Sequence, residues 1–126
     1  MPVILDASAM LAMLFDEQGG AMVVERARGS MILSVNFSEV VHKVVAVDGH
    51  PDRAEEAADR LEITVAPFDR LLARITAELR QPTAFMGASF ADRACLAFGL
   101  ATGAPIFSAD RDWQKLDLGI TIRMIR

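Results

Sequence analysis

Tyrosine is absent from this chain, and cysteine, tryptophan, histidine and lysine are scarce: 126 residues include one Cys, one Trp, two His and two Lys. Each scarcity excludes something. The lone thiol, Cys95, can form no internal disulfide and cannot by itself build a thiolate zinc site. Metal-free RNA cleavage by paired histidines would need His42 and His50 side by side. One falls mid-helix in the sequence pattern and the other directly precedes Pro51, so both read as surface residues. A basic excess is missing too. Thirteen Lys and Arg against 17 Asp and Glu leave a formal charge of −4, which excludes a strongly basic nucleic-acid coat. A nuclease stays open, because a bound divalent cation brings its own charge. The longest apolar stretches, around Ala7–Phe15 and Ala94–Phe107, are too short or too broken by Gly103 and Pro105 to span a bilayer. No basic segment precedes the first apolar run, so a soluble, cytoplasmic protein is expected.

What is present is ordinary globular usage, 52% hydrophobic and 24% charged. A chain of this length can bury one substantial core and not two, so a single domain over residues 1–126 is expected. Short apolar runs without alternation, Val3-Ile4-Leu5, Met31-Ile32-Leu33, Ile63-Thr64-Val65, Pro105-Ile106-Phe107 and Ile120–Ile125, suit strands buried on both faces. Helical periodicity lies between them. Ser8–Glu17 carries Met10, Leu11, Leu14 and Phe15 in phase and is closed by Gly19-Gly20. Further helices are predicted over Ala21–Arg28, Asn36–Val47, Pro51–Leu61, Phe68–Arg80 and Phe90–Ala101, with a short one around Asp112–Leu116 and a loop over Thr83–Ala88. Val40–Val47 has β-branched strand propensity, but Phe37, Val40, Val41, Val44 and Val47 form one helical stripe, and Asn36-x-x-Glu39 resembles a helix start. The regular alternation predicts an α/β fold, a mostly parallel sheet with helices on both faces.

Four carboxylates stand out: Asp6, Glu39, Asp92 and Asp110. Each has a local reading. Asp6 and Asp110 follow strands and precede helices, where Asp is a common N-cap. Glu39 and Asp92 close Asn36-x-x-Glu39 and Ser89-x-x-Asp92, both with capping-box spacing. There is also a joint reading. In a parallel α/β sheet the strand C-termini and the starts of the following helices share one rim, so all four acids can meet in one crevice. Carboxylates gathered there repel one another unless protonated or bridged by cations. Hard oxygen donors without His or Cys suit Mg²⁺ or Mn²⁺ rather than zinc, and such ions assist phosphodiester cleavage. The residues alone leave both readings standing.

The same residues carry a family resemblance. Val3-Ile4-Leu5-Asp6-Ala7-Ser8-Ala9 resembles the opening strand and Asp-x-Ser-Ala signature of PIN-domain ribonucleases, especially VapC-type toxins of toxin–antitoxin pairs. Asn36-Phe37-Ser38-Glu39-Val40 is similar to the family's second motif, and Met86–Ala97, with Asp92 at a helix start, to its third. Pro105–Trp113 resembles the closing Thr/Ser-x-Asp-x-x-aromatic motif, with Ser108 where Thr is commoner. All four occur in order and cover essentially the whole chain. The resemblance implies a PIN-like three-layer fold with about five parallel strands. It also implies Mg²⁺- or Mn²⁺-dependent endoribonuclease activity, homodimerisation and inhibition by a cognate antitoxin. Carried over by residue, Asp6, Asp92 and Asp110 would bind the metal, with Asp6 central, and Glu39 would orient or activate the attacking water. Asp112 is an alternative to Asp110, and Ser8 and Ser108 would support the carboxylates by hydrogen bonds or serve only as turn and cap hydroxyls.

Other residues add less. Arg93 adjoins Asp92 and can serve an RNA phosphate or a nearby carboxylate; Arg111, Lys115, Arg123 and Arg126 gather late in the chain, where they suit RNA guidance or a solvated surface. Cys95, on an apolar helix, reads as core. A mean hydropathy of +0.30 favours an apolar patch covered by a second subunit or an antitoxin helix. Two other functions share these residues: a phosphate-ester hydrolase on a similar sheet, and a non-catalytic PIN-like module that binds RNA or protein. Several phosphate enzymes lack their signatures here. Ser8 stands where a haloacid-dehalogenase-type phosphatase has its second Asp, and Asp6-Ala7-Ser8-Ala9 has no glycine-rich phosphate turn.

Overall fold

The computed structural model describes residues 2–126. Short, largely apolar segments form the strands β1 (Ile4–Leu5), β2 (Met31–Leu33), β3 (Thr64–Ala66), β4 (Ile106–Ser108) and β5 (Ile122–Met124). They make one sheet in the order β3-β2-β1-β4-β5 with every pairing parallel. Ile4 faces both Met31 and Ile106 across the sheet, and Leu5 faces Phe107. Successive side chains of a strand point to opposite faces, and both faces here are apolar. Val3, Leu5, Ile32 and Phe107 enter one core; Ile4, Leu33 and Ile106 enter the other.

Among the described residues six α-helices cover these faces: α1 (Ala7–Leu14), α2 (Gly20–Ala27), α3 (Ser34–Asp48), α4 (Asp52–Arg60), α5 (Arg70–Glu78) and α6 (Phe90–Thr102). The first core takes its helical side chains from α1 to α4, including Met10, Val23, Val40, Val44 and Ala54. The second takes Leu72 from α5 and most of the inner face of α6, together with Trp113. The predicted three-layer α/β arrangement is therefore present. Among the described residues no helix is long and apolar enough to cross a membrane.

Several boundaries differ from the sequence prediction, each for a local reason. Helix α1 stops at Leu14 rather than Glu17, because Asp16 turns left-handed (φ 52°) and Glu17 N–H bonds to Ala12 O. That turn leads into Gly19, at φ +89°, where a side chain would collide with Ile125 O, and Gly20, which lies against Ala12 O. Strand β3 runs one residue later than predicted, since Ile63 is buried in the first core while Thr64 and Val65 lie on the exposed sheet edge. Helix α3 begins at Ser34, directly out of β2. Asn36-x-x-Glu39 is consequently no capping box: Asn36 already lies inside the helix, and Ser34 Oγ instead accepts the N–H of Phe68 at 3.1 Å. The predicted loop at 83–88 contains a 3₁₀ turn, Ala84–Met86, and the short helix after β4 is a 3₁₀ turn, Arg111–Lys115.

Candidate active site

From β1 the chain steps outward to β2 and β3, then returns to place β4 on the other side of β1. The strand order thus reverses between β1 and β4, and in open α/β sheets the crevice at the carboxyl ends of the strands at such a point is the place for a ligand. Asp6 follows the last residue of β1, and Asp110 lies two residues beyond β4. Glu39 projects from the second turn of α3 and Asp92 from the first turn of α6. All four line one cleft of about 250 Å³, with Ala7, Ser8, Leu11 and Asn36 completing its wall.

Local chemistry holds each acid. Asp6 is buried and caps α1: its Oδ1 accepts the Ala9 N–H at 2.8 Å and the Ser8 hydroxyl at 2.7 Å. Ser8 Oγ in turn accepts the Ala109 N–H at 2.9 Å, so one hydroxyl ties the end of β1 to the segment after β4. Ser108, also buried, accepts the Asp110 N–H at 3.0 Å. Asp110 caps the 3₁₀ turn through Asp112 N–H, at 3.0 Å, and that turn is rooted in the second core by Trp113. Asp92 and Ser89 form the predicted capping box, with reciprocal bonds of 3.1 Å.

Asn36 was legible in the sequence only as a helix-start signal, and the structure gives it another place. It is buried, and its Nδ2 donates to Glu39 Oε1 at 3.1 Å and to Ala91 O at 3.0 Å. It thereby fixes the glutamate and joins α3 to the first turn of α6, beside Asp92. The spacing from Asn36 to Glu39, i to i+3 on one helical face, was the available clue. The contact with Ala91, far away in sequence, was not.

The cleft is electrostatically uncompensated, since no basic side chain belongs to its lining. Burial pushes the Asp6 carboxyl up from 3.8 to about 6, against the lowering effect of hydrogen bonds from Ser108, Ser8 and Ala9 N–H, and the charge of Asp92 adds to the rise. Glu39 is raised as well, first by desolvation and then by Asp92, while the Asn36 amide opposes both. Beneath them Cys95 is fully buried, and its thiol is pushed up by burial and by the charges of Asp6, Asp92 and Glu39. It is an inert core residue, as predicted. The N-terminal ends of α1 and α6 bring positive potential to the lining.

The remaining sequence candidates lie elsewhere. Asp112 is exposed and pairs with Lys115 at 3.3 Å, outside the cleft wall. Arg93 donates to Thr76 O at 3.2 Å, tying α6 to α5. Arg126 binds Gln18 O and Glu17. His50 pairs with Asp52 at the surface.

The donor set fits a hard divalent cation. Among the described residues no three His, Cys, Asp or Glu side chains are grouped tightly enough to grip an ion unaided. Mg²⁺ does not need such a cage, because it keeps several waters and takes one or two carboxylates. Asp6, Glu39, Asp92 and Asp110 supply the carboxylates on the cleft's lining.

The PIN domain family model matches residues 3–118. The chain belongs to the PIN domain family. Among solved structures, this PIN domain is similar to a toxin–antitoxin complex from Klebsiella pneumoniae, with a TM-score of 0.78 at 12% identity over 98% of both chains. It is also similar to VapBC2 from Rickettsia felis, solved with a promoter DNA fragment (TM-score 0.73, 13% identity, 98% of both chains). A third likeness is to VapC20 of Mycobacterium tuberculosis, a sarcin–ricin loop-cleaving toxin (TM-score 0.74, 18% identity, 90% of this chain and 93% of that one). At these identities the likeness establishes the shared fold. No curated protein sequence gives a significant match.

Proposed function

We propose that this PIN domain is a metal-dependent endoribonuclease that hydrolyses RNA phosphodiester bonds, and that it is the toxin of a type II toxin–antitoxin pair. It acts in the cytoplasm as a homodimer and is held inactive by a cognate antitoxin. The observation that carries this reading is the convergence of four carboxylates, from four separate elements, on one cleft without a countercharge. The toxin assignment is supported by the neighbours, which include toxin–antitoxin complexes and an RNA-cleaving toxin.

Asp6, Asp92 and Asp110 would hold Mg²⁺ or Mn²⁺, which would supply positive charge toward a phosphodiester and lower the pKa of a bound water. Asp6, held by Ser8 Oγ and Ala9 N–H, would be the central ligand. Glu39 would take the proton of the attacking water. Its raised carboxyl is a stronger base than an ordinary glutamate, and Asn36 keeps it pointed.

The test is cleavage of RNA by purified protein with Mg²⁺, with Mn²⁺ and with chelator, alongside Asp6→Asn. Metal-dependent cleavage by the wild type alone supports the proposal. Hydrolysis of simple phosphate esters but not RNA would transfer the site to a phosphatase. RNA or protein binding without any hydrolysis would leave a binding module.

A further inference from the structure

A second, more open groove adjoins the acidic cleft and shares one wall with it, Glu39. Its volume is about 540 Å³, and it is lined by Val35, Ser38, Glu39, His42 and Lys43. These positions lie three and four residues apart, along one face of α3. Lys43 and His42 are exposed. Among the described residues Lys43 has no carboxylate partner, whereas Lys115, the other lysine, is paired with Asp112.

His42 is fixed by its own helix. Its Nδ1 lies 2.8 Å from Ser38 O. A carbonyl oxygen only accepts, so Nδ1 carries the proton and Nε2 is the nitrogen left to face the groove.

The acidic cleft alone is a poor seat for a polyanion, and its metal can compensate only the phosphate at the reacting centre. The flanking phosphates need cations of their own. Lys43 lies one helical turn from Glu39, about 6 Å along the axis, a distance comparable with the step between phosphates of an extended single strand. We propose that Lys43, with His42 beside it, is the phosphate subsite that positions the RNA strand next to the scissile bond. Glu39 marks the boundary between this subsite and the reacting centre. The assignment rests on the nuclease reading above and adds to it the path of the substrate.

The experiment measures binding of a short fluorescein-labelled single-stranded RNA of mixed sequence by fluorescence anisotropy, at several KCl concentrations. It uses Asp6→Asn protein, so that the RNA stays intact. Adding Lys43→Gln should weaken binding about three- to tenfold and make the slope of log K against log[salt] shallower by about one, the signature of one lost phosphate contact. Lys43→Arg should restore most of the affinity, and Lys115→Gln should leave affinity and slope unchanged. In the active protein, Lys43→Gln should raise KM while kcat stays within about twofold, because contact with a non-reacting phosphate acts by uniform binding.

Equal affinity and slope with and without Lys43→Gln, an equal loss from Lys115→Gln, or no RNA binding at all would each overturn the subsite. The nuclease reading is judged separately, by whether the wild type cleaves RNA. An active enzyme indifferent to Lys43 refutes this inference and leaves that reading intact.

Discussion

Replacing Asp6 by Asn should make the metal-free protein more stable, by an amount that depends on pH. The Asp6 carboxyl is buried and raised from 3.8 to about 6, with burial as the main cause. Its proton is therefore held more tightly in the folded state than in the unfolded one. The sign follows directly. Below about pH 4 the protonated side chain stabilises the fold in full. That advantage is lost as pH rises through about 6, and above it the fold carries a buried, uncompensated charge. A difference between 3.8 and about 6 corresponds to about 3 kcal/mol. Asparagine is a good N-cap, and its Oδ1 can keep the bonds from Ala9 N–H and Ser8 Oγ. Its amide must find an acceptor where the carboxylate needed none, which offsets about 1 kcal/mol. A net gain of about 2 kcal/mol, or about 8 °C in Tm for a domain of this size, is expected at neutral pH. Urea unfolding of both proteins across the pH range, in chelator, reads it out. Below about pH 4 the variant should be the less stable by about 1 kcal/mol; the curves should cross between pH 4 and 6, and the gain should be complete and constant above about 6. Equal stability at neutral pH, or a difference that does not change with pH, would refute the account of Asp6 as a carboxylate strained by its burial.

Three further outcomes follow from the same geometry. Mn²⁺ or Mg²⁺ should raise the Tm of the wild type in a concentration-dependent way and leave Asp6→Asn unmoved, since a ligand that binds only the native state stabilises by mass action; differential scanning calorimetry checks this. Asn36→Leu removes the donor to both Glu39 and Ala91 O, so it should cost about 1–2 kcal/mol of stability. Because that amide opposes the rise of the Glu39 carboxyl, the variant should also move the acidic limb of the kcat/KM–pH profile to higher pH, measured by initial rates. Asp110→Asn should abolish cleavage, whereas Asp112→Asn, whose side chain faces Lys115 outside the cleft, should retain it. Comparable losses in both variants would return Asp112 to the site.

Much of this fold was legible because its strands are buried on both faces. A short unbroken apolar run such as Val3-Ile4-Leu5 can serve two cores at once, and the structure divides Val3 and Leu5 from Ile4 in that way. The reading slipped where burial is one-sided or where a cap is not a side chain. Thr64 and Val65 lie on the exposed sheet edge, so Ile63 belongs to the core below rather than to β3. Helix α3 has Leu33 at its N-cap position and makes no side-chain cap bond, so a signature that resembles a cap was placed two residues late. Strand order was not written locally at all. Nothing near Ile106 says that β4 pairs with β1 rather than β3, and it is this step across β1 that opens the crevice.

The four acids also show why local reasoning stops short of a site. Asp6, Asp92 and Asp110 do cap their helices, as their positions suggested. Yet the backbone bond of each cap occupies one carboxylate oxygen: Oδ1 of Asp6, Oδ2 of Asp92 and Oδ1 of Asp110. The cap fixes the side chain at the rim and leaves the second oxygen free of the cap's backbone bond. A helix N-terminus also lowers the cost of holding negative charge there, so it favours the acid electrostatically while it orients it. Capping and metal binding are therefore not competing explanations of these residues. A cap is a means of holding a carboxylate rigid beside its neighbours, and rigid placement is what a metal site on a parallel sheet requires. What separates an ordinary cap from such a site is whether several of them open on the same space. Here they do: Asp6, Glu39, Asp92 and Asp110 all open on one cleft, where burial first, and the charge of Asp92 after it, raises the carboxyl of Asp6.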